Sequence, residues 1–306
     1  MSNTLLVPPP HQGPPVPYSE QLEAARESLP ENLPRDASKI LLALDVDGTL
    51  LLPEGASPRV KSVMHDALEA GINVVIATGR GIDGTRPVFA ELNLPDGYSV
   101  SSNGAQTVHW SSQSGQGQAA HEPQVLAEHR FHPEKAGRVL LDALPGLLLG
   151  VDDGTEGMLV TRRFPQGELL SRQKVLPADL LLRTPTPRLV ARAPWMSRDD
   201  FNLVVRELPL TDVAVAVGWT AWADLCKLGV SKATGLQELA DSLGVDNEGT
   251  IALGDGTNDI EMLSWAGHGV AMGGASDEVR AVADAVTGPV DYDGAAAVIE
   301  AVLECI

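Results

Sequence analysis

Ile40-Leu41-Leu42-Ala43-Leu44 is an unbroken apolar run that stops abruptly at Asp45, with Gly48 just beyond it. A short run that is apolar at every position, not every second one, fits a strand covered on both faces, the situation in a parallel sheet flanked by helices. The next segment agrees. Ser57 offers a capping oxygen, Pro58 suits a first helical turn, and Val60, Val63, Met64, Ala67 and Leu68 recur at helical spacing until Gly71. A second apolar run, Asn73–Ala77, ends in Thr78-Gly79-Arg80. Strand, helix and strand at this spacing form a βαβ unit with a right-handed crossover. A further strand is expected over Tyr98–Ser102, ending at Asn103-Gly104.

The rhythm then breaks. From 106 to 223 the pattern mixes strand-like pieces, such as Leu189–Arg192 and Val213–Val217, with helical ones such as Arg198–Leu208, as an α+β insertion would. After 224 the alternation returns. A helix from Lys232 buries Leu236, Leu239, Ala240 and Leu243 and ends at Gly244. A strand Thr250–Leu253 leads into Gly254-Asp255-Gly256-Thr257-Asn258-Asp259, and two more helical stretches reach the C-terminus. The expected fold class is α/β, a doubly wound parallel, Rossmann-like core (38–105 and 224–306) interrupted by an inserted α+β cap (106–223). Residues 1–37 read as a flexible leader, because Pro8-Pro9-Pro10, Pro14-Pro15 and Pro17 oppose regular structure and Pro30 and Pro34 interrupt the stretch after Ser28.

Net charge narrows the partners. With 22 Lys plus Arg against 41 Asp plus Glu, the chain carries −19, which disfavours nucleic acid and anionic membrane surfaces. The same field repels a phosphorylated ligand, so any phosphate site must be made positive locally. Two cysteines, Cys226 and Cys305, suggest neither a zinc site nor a disulfide scaffold. No apolar run approaches the roughly 20 residues of a membrane span, and Met1–Pro10 lacks signal-peptide character. The expectation is a cytoplasmic protein, monomer or homodimer.

Ligands of doubly wound sheets bind beyond the carboxyl ends of the strands. Three expected strands end in polar residues: Asp45-Val46-Asp47-Gly48-Thr49, Thr78-Gly79-Arg80, and the segment from Gly254 to Asp259. Asp45 and Asp47, two apart on extended backbone, project toward the same side. With Asp255 or Asp259 beside them they would repel strongly unless a cation lay between. An all-oxygen site with room for water and phosphate suits Mg²⁺. Asp152-Asp153-Gly154-Thr155 is a similar string, but it lies within the insertion and reads as a hairpin turn. An EF-hand is excluded for Asp45, whose loop has its glycine at the fourth position.

Asp45-Val46-Asp47-Gly48-Thr49-Leu50 resembles the first motif of the haloacid dehalogenase superfamily. Thr78 resembles its second, Lys232 its third and Gly254–Asp259 its fourth. Asn103-Gly104, the late cap position and Gly229-Val230-Ser231-Lys232 are similar to its Cof-type branch, with a C2-type (IIB) cap; Ala233 departs from the usual glycine. The resemblance implies a Mg²⁺-dependent phosphatase of a small phosphorylated metabolite, a sugar phosphate or similar phosphomonoester, with pyridoxal phosphate and flavin mononucleotide as other candidates. It implies Asp45 as nucleophile and Asp47 as general acid and base. Asp45, Asp255 and the Asp47 carbonyl would hold the metal, with Asp259 as a further ligand or support. Thr78 and Lys232 would face the phosphoryl group, Asn258 would contact phosphate or orient Asp255, and Gly79, Arg80 and Asn103 would line the substrate site.

Other residues compete less well for these roles. Lys227 reads as strand-end surface, His129 and His132 as exposed cap histidines, and Trp195, Trp219 and Trp222 as core or cap-interface residues. A phosphosugar mutase is the rival enzyme; it would need cap arginines, for which Arg162, Arg163, Arg188 and Arg192 are candidates. A non-catalytic binding protein on the same fold is the rival from another class.

Overall fold

The computed structural model describes residues 15–112, 121–153, 157–169 and 171–306. In chain order the strands are Leu41–Leu44 (β1), Asn73–Ala77 (β2), Asp96–Ser101 (β3), Gln106–Ser112 (β4), His121–Glu128 (β5), Leu148–Asp152 (β6) and Gly157–Val160 (β7). There follow Arg172–Val175 (β8), Leu189–Arg192 (β9), Val213–Val217 (β10), Trp222–Lys227 (β11), Thr250–Gly254 (β12), His268–Ala271 (β13) and Ala285–Val286 (β14). The helices are Tyr18–Ser28 (α1), Pro58–Glu69 (α2), Ile82–Glu91 (α3), Glu134–Ala143 (α4), Ala178–Leu181 (α5), Arg198–Glu207 (α6), Lys232–Leu243 (α7), Ile260–Trp265 (α8), Asp277–Arg280 (α9) and Gly294–Cys305 (α10).

The strands form two sheets. One has the order β14-β13-β12-β1-β2-β3-β4-β5, parallel from β14 to β3 and antiparallel beyond; the other has the order β10-β11-β9-β6-β7-β8. The chain is an α/β protein with a doubly wound core and a second, α+β unit. The apolar run at β1 is explained by its two covered faces. Leu42 and Leu44 join one core with α2 and α10 residues, whereas Leu41 and Ala43 join another with α7 and α8 residues. Ser57 caps α2, its Oγ accepting from Val60 N at 3.1 Å, and Gly244 ends α7 in the left-handed conformation with φ 66°.

Two expectations need correction. The zone read as a flexible leader contains α1, which docks on α10: Leu22 and Ala25 are buried, the Tyr18 hydroxyl donates to Glu300, and Arg26 Nη2 donates to Glu304 Oε1 at 2.7 Å. The prolines lie outside the helix, and Tyr18, Leu22, Ala25 and Leu29 share one helical face. Pro8 to Pro10 and Pro14 lie outside the described residues. The cap boundaries also shift. β4 and β5 extend the core sheet, so the separate cap sheet begins with β6 and ends with β11 at Lys227. Both strands follow β3 by antiparallel pairing, which the mixed sequence pattern does not distinguish from a new sheet. Of the decoy string, Asp152 ends β6, while Gly154 and Thr155 lie outside the described residues.

Candidate active site

Strand register brings the polar strand ends together. Leu44 pairs with Leu253 on one side and Ile76 on the other, and Ala77 pairs with Val100. Asp45, Thr78, Asn103 and Asp255 therefore leave the sheet along one edge, at the point where the strand order reverses around β1. The Asp45 amide continues the ladder, donating to Leu253 O at 3.0 Å, so the side chain that follows a rigid strand is itself held. Gly48, at φ +90°, lets the chain turn away at a place where a Cβ would lie 2.3 Å from Asp255 Oδ2.

Lys232 reaches this edge from the first turn of α7 and is fully buried. Its Nζ donates to Asp45 Oδ1 and Asp259 Oδ1, both at 2.6 Å. The other oxygen of Asp259 accepts from the amides of Asp255 (3.0 Å) and Gly256 (2.9 Å), which folds the loop after β12 around it. Carboxylate oxygens of Asp45, Asp255 and Asp259 lie within 4.8 Å of one another; among the described residues this is the one group of three metal-ligating side chains so arranged.

Three carboxylates share a single internal cation, and their proton affinities show it. Burial, then the Asp259 charge, pushes Asp45 up to about 7 despite Lys232. Burial and the charges of Asp45 and Asp259 push Asp255 up to about 9. Burial alone would lower Lys232, but Asp259 and Asp45 outweigh it and hold the ammonium above its ordinary value. An uncompensated, all-oxygen donor set of this kind fits a divalent cation, and a hard one such as Mg²⁺ in particular.

Asp47 is partly exposed and faces Arg80, whose Nε donates to Oδ2 at 2.9 Å and whose terminal nitrogen donates to Oδ1. Thr78 is fully buried and organises the loop after β2: its amide donates to Val100 O at 2.9 Å and its Oγ1 accepts from Arg80 N at 3.2 Å. Asn103 has φ 53°, accepts from Asn258 Nδ2 at 3.0 Å and so ties the loops after β3 and β12. Asp45, Asp47, Gly79, Arg80, Asn103, Asp255 and Asn258 line a cavity of about 460 Å³ between core and cap. Thr78, Lys232 and Asp259 stand behind that wall, fully buried.

The structure also places residues the sequence left without a role. Arg188, on the loop entering β9, donates from Nη1 to Gly79 O at 3.0 Å and lies 3.5 Å from Asp224 on β11. Cys226 donates from Sγ to Ser102 O at 3.1 Å, its thiol pushed up to about 12 by burial. These contacts join residues more than a hundred positions apart, and neither has a local signature. Of the four cap arginines, Arg188 alone lines the cavity; Arg192 is bound bidentately by Glu168, and Arg162 and Arg163 are at the surface. Lys227 is exposed, His132 is exposed, and His129 Nε2 meets Glu238 Oε2 at 3.0 Å. Trp219 and Trp222 line the cavity, as cap-interface residues do. Trp195 departs from that expectation and is 54% exposed.

The family model for the haloacid dehalogenase-like hydrolases matches residues 42–128 and 203–299, leaving out most of the cap. A phosphoglycolate phosphatase of Natronomonas pharaonis is 32% identical over 257 residues, 83% of this chain and 93% of its own. The pyridoxal phosphate phosphatase YbhA of Escherichia coli is 30% identical over 278 residues, 81% of this chain and 93% of its own. The solved structure of BT1666 from Bacteroides thetaiotaomicron, described among phosphatases of that superfamily, covers 90% of this chain and 99% of its own at 28% identity, with a TM-score of 0.68.

Proposed function

The chain belongs to the haloacid dehalogenase-like hydrolases, in the Cof-type branch with a IIB cap, and from that premise we propose that it is a Mg²⁺-dependent phosphatase of small phosphomonoesters, with Asp45 as nucleophile. One observation carries the reading. Asp45 ends the central strand, bonded to Lys232 at 2.6 Å and grouped with the carboxylates of Asp255 and Asp259, at the floor of a cavity sized for a small metabolite. The relatives named above act on phosphoglycolate and pyridoxal phosphate, so the ester substrate class follows the family.

Asp45 Oδ forms a bond to phosphorus as the bond to the leaving alcohol oxygen breaks, giving an aspartyl phosphate. Asp47 gives its proton to that oxygen, then accepts one from the water that attacks the acyl phosphate, releasing inorganic phosphate and restoring Asp45. Because Arg80 holds Asp47 as a carboxylate partner, an arriving phosphate must draw Arg80 toward itself to free Asp47. Lys232 fixes the orientation of Asp45 and counters the charge gathering on the phosphoryl oxygens. Thr78, Gly79 and Asn103 shape the loop that receives those oxygens, and Asn258 braces it. Asp45, Asp255 and the Asp47 carbonyl would hold Mg²⁺ with Asp259 in support, and the ion would supply neutralising charge to the phosphoryl group. The cap closes over this floor and excludes water.

The test is phosphate release from a broad panel of phosphorylated metabolites with Mg²⁺, set against an EDTA control. Asp45→Asn removes the nucleophilic oxygen and should abolish turnover, by about 10³-fold or more, with an unchanged circular dichroism spectrum. Retained turnover in that variant overturns the assignment. We place the protein in the cytoplasm, in keeping with its two unpaired cysteines; among the described residues no helix is long and apolar enough to cross a membrane.

A further inference from the structure

We propose, on the basis of the phosphatase reading, that the alcohol released here is an uncharged planar ring, aromatic or heteroaromatic, selected by Trp219 and Trp222. The floor of the cavity binds the phosphoryl group, so the roof must read the remainder of the ester. That roof is the second face of the cap sheet. Along β11, Ala223 and Leu225 point into the cap's own core, so the alternation of a strand sends Trp222 and Asp224 to the opposite face, where both line the cavity.

Trp222 is fixed there. Phe164 meets its ring edge-on, with centroids 5.7 Å apart and planes at 65°. Trp219 sits in the turn joining β10 and β11, lines the same cavity and is 43% exposed, a large aromatic surface open to a concave space. Arg198 steadies that turn, donating from Nε to Gly218 O at 3.0 Å. Leu169 and Val217 extend the apolar surface between them.

The charges on the roof point the same way, because each is already answered by another. Glu168 is engaged by both Arg192 Nε (2.9 Å) and Nη2 (2.8 Å). Arg188 is engaged by Gly79 O and Asp224. Among the described cap residues lining the cavity, a second phosphate or a carboxylate meets no uncompensated cation, and a polyol meets carboxylates already paired. A neutral ring needs neither. It gains instead by stacking on indole and by leaving water.

Four esters of primary alcohols, alike in leaving-group chemistry, test this with the full chain and Mg²⁺: benzyl phosphate, cyclohexylmethyl phosphate, glucose 6-phosphate and 2-phosphoglycolate. Benzyl phosphate should exceed the other three in kcat/KM by about tenfold or more, the scale of a well-formed ring stack with its buried area. Trp219→Ala should lower the ratio of kcat/KM for benzyl phosphate to that for glucose 6-phosphate by about tenfold, and Trp219→Phe should restore most of it. A damaged fold lowers both values together and leaves the ratio unmoved, which counts against the inference. Preference for glucose 6-phosphate or 2-phosphoglycolate, or for cyclohexylmethyl over benzyl, overturns it while the phosphatase reading stands. Phosphate release from none of the four, nor from the broad panel, overturns both.

Discussion

Lys232 shows how much of the site depends on one side chain. It is a fully buried cation on the first turn of a helix, an unfavourable end of the dipole, and is held there by Asp45 and Asp259. Replacing it by the similarly long but uncharged methionine leaves two buried carboxylates facing each other. In EDTA at pH near 8, Lys232→Met should cost about 3 kcal/mol or more in urea unfolding, the scale of a broken buried ion pair. The loss should shrink on acidification, because protonated carboxyls no longer need the ammonium. A cost under about 1 kcal/mol at both pH values would mean that Asp45 and Asp259 do not rely on this lysine for compensation. Asp45, Asp47, Asp255 and Lys232 were legible in the sequence for a local reason: each stands directly at a strand end or a helix start whose apolar flank is unmistakable. Arg188 and Asp224 were not. They meet Gly79 and each other across the cap–core cleft, and nothing in their neighbouring residues marks that contact.

At the scale of elements, α1 is the instructive case. Its apolar stripe of Tyr18, Leu22, Ala25 and Leu29 is short, and the prolines before and after it dominate a reading by composition. What makes the helix part of the fold is its docking on α10, an element more than 260 residues away in sequence, with Arg26 bound bidentately by Glu304 and the Arg59 guanidinium 3.6 Å from the Tyr18 ring centroid. The surface ion pair contributes little, whereas Leu22, 9% exposed, contributes packing. Leu22→Ala should destabilise the protein by about 2 kcal/mol in urea unfolding, and Arg26→Ala by under about 1 kcal/mol. The reverse ranking would show that the helix is held by its charges and not by its apolar face. The cap boundary was obscured by a related problem. β4 and β5 carry no mark of which sheet they join, and only their pairing with β3 settles it.

At the scale of the whole molecule, a chain of net charge −19 concentrates three carboxylates at the mouth of its central sheet, which makes the metal-free fold work against itself. Proton linkage gives the sign. Asp45 and Asp255, raised to about 7 and about 9, bind more protons folded than unfolded wherever pH exceeds the ordinary carboxylate value of about 4. Their contribution to stability is therefore present at acid pH and is lost as pH rises through those two values. A divalent cation binds the ionised cluster of the folded state and reverses that trend. Millimolar Mg²⁺ should raise the melting temperature by about 5 °C at pH near 8, if present at roughly a hundred times its dissociation constant, and by much less at pH near 5.5. Asp255→Asn should remove most of the Mg²⁺-induced rise and also flatten the metal-free decline with pH, since one neutral amide replaces the carboxyl most reluctant to ionise. Thermal unfolding at the two pH values, with Mg²⁺ and with EDTA, reads both effects. An equal Mg²⁺ shift at both, or a shift unchanged in Asp255→Asn, would place the ion somewhere other than this cluster.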